Sequence, residues 1–167
     1  MPLRGRSRME GPVVSFLTTT THNRVPFPNQ PLSLGTIEDI LFRAVAEKRI
    51  YLFAYVIMPT HLHLIAGTAT GGSEISKLMH SLKGRVREDL SGKGKFWQSR
   101  FDDLVLVSKK QFSIKLNYIH WNPVRAGLAE NPEDWPYSSY VDWINNDRSR
   151  GIKFIFEDIM EPSGEAT

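Results

Sequence analysis

The chain has 167 residues, 41% of them hydrophobic, enough for one well-buried core of ordinary globular kind. It has no cysteine, which excludes disulfides, thiolate metal sites and cysteine nucleophiles together. The net charge of +3 leans weakly toward a polyanionic partner. No run approaches the length of a membrane span and the basic N-terminus lacks the apolar core of a secretion signal, so a cytoplasmic protein without membrane contact is expected.

Residues 1–11 carry Arg4, Arg6 and Arg8 among Gly and Ser and read as a flexible basic arm. The β-branched and aromatic run over 13–21 predicts a first strand. After a loop over 23–35, Thr36 is expected to cap a helix. Glu38 and Asp39 stand in its first turn, Ile37, Ile40, Leu41, Ala44 and Val45 recur at helical spacing, and the end falls near Arg49. Residues 51–58 predict a second strand, Pro59 and Thr60 a turn, and 61–68 a third strand. Gly71 and Gly72 break the chain before Ser73, which is expected to cap a second helix. Its apolar stripe is Ile75, Leu78, Met79, Leu82, Val86 and Leu90, with Lys77, Lys83, Arg85 and Arg87 on the remaining surface. A fourth strand is expected at about 102–107. The order β-α-β-β-α-β is that of an α+β, ferredoxin-like split arrangement: an antiparallel sheet with both helices on one face and the other free for a site.

Ser108 opens a third helix that is expected to reach about Asn122, because Pro123 disfavours helical torsions at the residue before it. Phe112, Leu116 and Ile119 form its apolar side; Gln111, Lys115, Tyr118 and Asn122 share another. His120 points away from Tyr118 and reads as structural. Residues 124–128 predict a further turn closed by Gly127. The stretch 131–143, with Trp135, Tyr137, Tyr140 and Trp143, is expected to wrap against the core. The chain thus divides into an arm (1–11), a domain (12–143) and a tail (144–167) with a short strand or helix at 154–160.

Chemistry concentrates at two places. On a strand, His61 and His63 stand side by side on one face while Leu62 and Leu64 pack on the other, which makes either a pair of metal-ligating imidazoles or two ordinary strand histidines. Tyr118 is either a half-buried packing residue or a nucleophile. Two imidazoles and an amide, with a tyrosine one helical turn from the amide, are parts with a specific use. A divalent ion polarises a phosphodiester and the phenolate attacks phosphorus, conserving the bond energy so that the strand can be rejoined. Between Lys77 and Arg100 there are seven Lys or Arg residues against two acids, with Phe96 and Trp97 close by. Such a track suits single-stranded nucleic acid through phosphate neutralisation and base stacking, though Trp97 reads equally as core and Arg125 as an ion-pair partner.

Three motifs carry a resemblance: Thr60-His61-Leu62-His63-Leu64-Ile65, Phe96-Trp97-Gln98-Ser99-Arg100-Phe101-Asp102, and the block from Tyr118-Ile119-His120-Trp121-Asn122 to Pro123-Val124-Arg125-Ala126-Gly127-Leu128. From about residue 13 to 143 the chain resembles the single-tyrosine, IS200-like transposases of the HUH endonuclease superfamily, and within them the REP-associated tyrosine transposases. The resemblance implies His61 and His63 as the metal pair, Tyr118 as the nucleophile, and Asn122 as the amide completing the metal site where distant relatives carry glutamine. It implies cutting of single-stranded DNA beside hairpins, with a 5′-phosphotyrosine and a free 3′-hydroxyl as products, by a monomer or a homodimer. The ion implied is Mg2+ or Mn2+; imidazole ligands favour manganese, since magnesium prefers oxygen. Lys77, Lys83, Arg85, Arg87, Trp97, Arg100, Lys115 and Arg125 are the expected DNA contacts. The rival expectations are a catalytically inactive ferredoxin-like protein that binds single-stranded nucleic acid, and a phosphodiesterase that uses water.

Overall fold

The structure, a computed structural model, describes residues 10–90, 92–154 and 156. Most of the basic arm, with Arg4, Arg6 and Arg8, and the stretch 157–167 lie outside the described residues. Among the described residues the elements run β1 (Val13–Thr20), α1 (Leu32–Lys48), β2 (Tyr51–Ile57), β3 (His61–Thr68), α2 (Ser73–Asp89), β4 (Asp102–Val105), α3 (Lys109–Arg125) and α4 (Tyr140–Ile144), with short 3-10 turns between some of them. The sheet order is β2-β3-β1-β4 and every neighbouring pair is antiparallel. This is the α+β, ferredoxin-like architecture that the element order predicted.

Side-chain alternation along the strands divides the core in two. Val13, Leu17, Leu62, Leu64 and Val105 pack with Ile37, Leu41 and Ala44 of α1 and with Ile75, Leu78, Leu82 and Val86 of α2. On the opposite face Val14, Val56, Met58 and Ile65 pack with Phe112 and Ile119 of α3. A bulge in β2 between Leu52 and Ala54 turns both Phe53 and Ala54 to this second face. The face left free by α1 and α2 is therefore partly roofed by α3.

Several boundaries differ from expectation. α1 starts at Leu32, directly after Pro31, and Thr36 lies inside it with its hydroxyl donating to the Leu32 carbonyl at 3.3 Å. Burial of Ser33 and Leu34 explains the extra turn: the helix is prolonged by packing, not by a cap. Ser73 is the first residue of α2 and makes no capping bond there; Gly72 holds the cap position. α3 runs straight through Pro123 to Arg125. Proline removes its own donor and crowds the carbonyl one turn back, but Pro123 is buried on the packed side of the helix, and that burial outweighs these costs and the local preference against helix at Asn122. At the other end Ser108 caps as expected: its hydroxyl accepts from the Gln111 N–H at 3.1 Å, while Gln111 Oε1 accepts from the Val107 N–H at 2.9 Å. Gly127, at φ 74°, closes the helix. β4 ends at Val105, two residues early.

The stretch 131–143 does wrap the core, and it does so along β2. Trp135 Nε1 donates to the Ile57 carbonyl at 3.0 Å and Trp143 Nε1 to the Phe53 carbonyl at 2.8 Å, while the Ser139 N–H donates to the Tyr55 carbonyl at 3.0 Å. Arg150 then binds Asp142 through two nitrogens at 3.0 and 2.6 Å and donates to the Tyr55 hydroxyl at 2.8 Å, which itself donates to Glu38 at 2.7 Å. Among the described residues beyond 143, Ile152 and Phe156 are buried and still belong to the core.

Candidate active site

β3 presents both imidazoles on the α3 face. His63 lies opposite Thr18 in the β1–β3 register, and its Nδ1 is 2.7 Å from the Thr18 hydroxyl. Phe16 stacks on the same ring, with centroids 5.4 Å apart and planes 18° from parallel. His63 is 5% exposed and its Nε2 is buried without a hydrogen-bond partner. Burial, with smaller contributions from His61 and Lys115, holds its pKa down at about 3. The His61 ring is 4.8 Å away, with Nδ1 3.1 Å from the Thr60 hydroxyl; burial and then Arg24 lower its pKa as well. Both rings are neutral bases at physiological pH.

α3 carries Tyr118 to this face. The phenol ring stands edge-on to His63 at 5.3 Å and to Phe16 at 5.9 Å. Two cations attend it: Lys115 Nζ is 5.5 Å from the Tyr118 ring and 4.8 Å from Phe16, and the Arg125 guanidinium is 5.6 Å from the Tyr118 ring. These groups are one to two turns apart, so a single helix supplies phenol and both charges. Asn122 follows Tyr118 by one turn and is 9% exposed. His120 does face away: it is buried, with Nε2 2.8 Å from the Ser139 hydroxyl and its ring against Tyr140 and Trp143.

The donor set fits a divalent ion. His63 keeps a buried ring nitrogen with no partner, and both imidazoles are neutral. Among the described residues no group of three His, Cys, Asp or Glu gathers. An ion held here would rest on His61 and His63; Asn122 lies one turn beyond Tyr118 on the same helix.

The eight residues expected at DNA fall into three groups. Lys115 and Arg125 join the tyrosine. Lys83, Arg87, Trp97 and Arg100 line a groove of about 810 Å³ with His80, Phe101 and Asp103, between α2 and residues 97–103. The α2 side of the sheet carries this groove, away from the histidines. Lys77 and Arg85 belong to neither: Lys77 pairs with Glu74 at 3.1 Å, and Arg85 binds Glu47 through two nitrogens at 3.2 and 2.6 Å. Of the two readings of Trp97, base-stacking platform or core, its surroundings match the core one. It is 9% exposed, packs edge-on to Phe27 and Phe96, and donates from Nε1 to the Lys83 carbonyl at 2.9 Å, so it is the floor of the groove.

Phe16 and Thr18 were not singled out from the sequence. Their signal was present but indirect: in the split arrangement β1 lies beside β3, and alternate residues of β1 must then face the histidines.

No family model matches the chain. It is 28% identical over 131 residues to the REP-associated tyrosine transposase of Escherichia coli (strain K12), covering 71% of this chain and 79% of that one. A Haemophilus influenzae protein bearing the same family name is 29% identical over 100 residues, covering 52% of this chain and 57% of that one. Among solved structures, a REP-associated tyrosine transposase bound to a REP hairpin superposes with a TM-score of 0.71 at 24% identity, over 92% of this chain and 88% of that one. That likeness is one of fold.

Proposed function

From the premise that this chain is a relative of the REP-associated tyrosine transposases, we propose that it cuts and rejoins single-stranded DNA beside hairpin-forming repeats, through Tyr118. The observation that carries the reading is the approach of the Tyr118 ring to within 5.3 Å of His63 on one sheet face, with Lys115 and Arg125 beside the phenol. A divalent cation, Mn2+ in preference to Mg2+, would supply charge neutralisation and polarisation of the scissile phosphate. His61 and His63 would hold it with Asn122. Lys115 and Arg125 draw the phosphate toward the phenol and face the charge that builds on its oxygens. The Tyr118 oxygen forms a bond to phosphorus as the bond from phosphorus to the 3′-oxygen breaks. The phenolic proton ends on that 3′-oxygen, which leaves as a hydroxyl, and the 5′-phosphate stays on the tyrosine. Attack by a 3′-hydroxyl reverses the step and joins the strand. The groove with Lys83, Arg87 and Arg100 offers a second cationic surface for the same polyanion.

Incubation of the full chain with Mn2+ and hairpin-bearing oligonucleotides is expected to yield a covalent adduct on a denaturing gel, absent from Tyr118→Phe and from His61→Ala. An adduct that survives Tyr118→Phe overturns the assignment. One observation favours a second reading: the groove is independent of the histidines, as a protein that only binds nucleic acid would have it. Tight, metal-independent binding without an adduct on any substrate would support that reading, and cleavage that tolerates Tyr118→Phe would point to water as the nucleophile.

A further inference from the structure

Resting on the reading of His61 and His63 as ligands, we propose that Thr18 is a positioning residue that selects the tautomer of His63. The Thr18 hydroxyl accepts the Nδ1 proton, and the Nε2 lone pair is thereby left for a divalent cation. The two groups are direct partners across the β1–β3 ladder, and the contact is 2.7 Å. A neutral imidazole carries one N–H. If Thr18 instead donated to Nδ1, the proton would sit on Nε2, buried and without an acceptor. Orphaned buried N–H groups are rarer than unsatisfied acceptors, so the bare atom is the lone pair. Phe16, stacked on the ring, opposes rotation about Cβ–Cγ that would carry Nδ1 away from Thr18. His61 repeats the arrangement, with its own Nδ1 against the Thr60 hydroxyl at 3.1 Å. Each imidazole is thus held at Nδ1 by a threonine, and the same nitrogen, Nε2, remains on both for a shared ion.

The test uses the full chain as wild type, Thr18→Val, Thr18→Ala and Thr18→Ser, with folding checked by near-ultraviolet circular dichroism. In nitrogen-resolved NMR of the metal-free wild type, the His63 proton is expected on Nδ1. Titration with Mn2+ alone, read by electron paramagnetic resonance, is expected to show about 10- to 100-fold weaker binding in Thr18→Val and Thr18→Ala, the range typical for lost partners of ligating histidines. Recovery in Thr18→Ser to within a few-fold of wild type would support a hydroxyl role over a packing one. A His63 proton on Nε2 in the wild type, or wild-type Mn2+ affinity in Thr18→Val, overturns the role of Thr18 alone. Wild-type Mn2+ binding that His61→Ala leaves unchanged, or that is absent, overturns the ligand reading beneath it.

Discussion

A buried imidazole kept neutral sets an acid limit on the fold. His63 and His120 have pKa values of about 3 and about 4, each lowered by burial from an ordinary value of 6.5. The unfolded chain binds these protons first, so the contribution is complete above pH 6.5 and drains away as pH falls toward 4 and then 3. Each group removes roughly 1 kcal/mol per pH unit within that window. Urea midpoints at pH 7 and pH 5 are expected to show the loss, and His120→Gln, which keeps a donor near Ser139, is expected to reduce the slope by one group's share. Equal slopes in the two proteins would remove His120 as a source.

The helix bearing the tyrosine is positioned by what it buries. Ile119, fully buried, and Phe112 hold α3 against β2 and β3. Ile119→Ala is expected to cost about 3 kcal/mol in urea unfolding and to slow adduct formation, because the phenol loses its fixed distance from His63. Arg150 ties residues beyond α4 to Asp142, Tyr55 and Glu38. Its removal strands the Asp142 carboxylate, 4% exposed, and Arg150→Met is expected to cost about 2 kcal/mol. That is less than for a fully enclosed pair, since the arginine itself is partly solvated. Elements are also where sequence reading succeeded and failed. The histidine strand and the Ser108 cap were legible because alternation and local capping decide them. The start of α1 and the passage of α3 through Pro123 were not, because burial of Ser33, Leu34 and Pro123 is a property of the assembled core.

At the scale of the molecule, the sheet separates two cationic regions that the sequence ran together. The tyrosine site and its two charges lie on the α3 face, the groove on the α2 face. Single alanine substitutions of Lys83, Arg87 and Arg100 are each expected to weaken single-strand binding and to reduce the slope of log K against log salt by about one. Arg85→Ala, whose guanidinium serves Glu47, is expected to leave that slope unchanged. If all four behave alike, the groove is not the binding surface. A linear run of basic residues could not reveal this partition, since a helix distributes its charges around its axis; Glu74, one turn before Lys77, is local, but only folding brings Glu47 to Arg85.

The segment that follows α3 has one more consequence. Along β2, the Leu52 carbonyl accepts from Lys153, the Phe53 and Ile57 carbonyls from two indoles, and the Ile57 N–H reaches the Tyr137 carbonyl. Tyr55 is satisfied in both directions by Ser139. One border of the sheet is thereby closed to recruitment by another chain. The opposite border, β4, is four residues long and opens with Asp102 and Asp103, so brevity and negative charge protect it in turn. A sheet so hemmed resists templated aggregation, and it does so with residues that the site never touches.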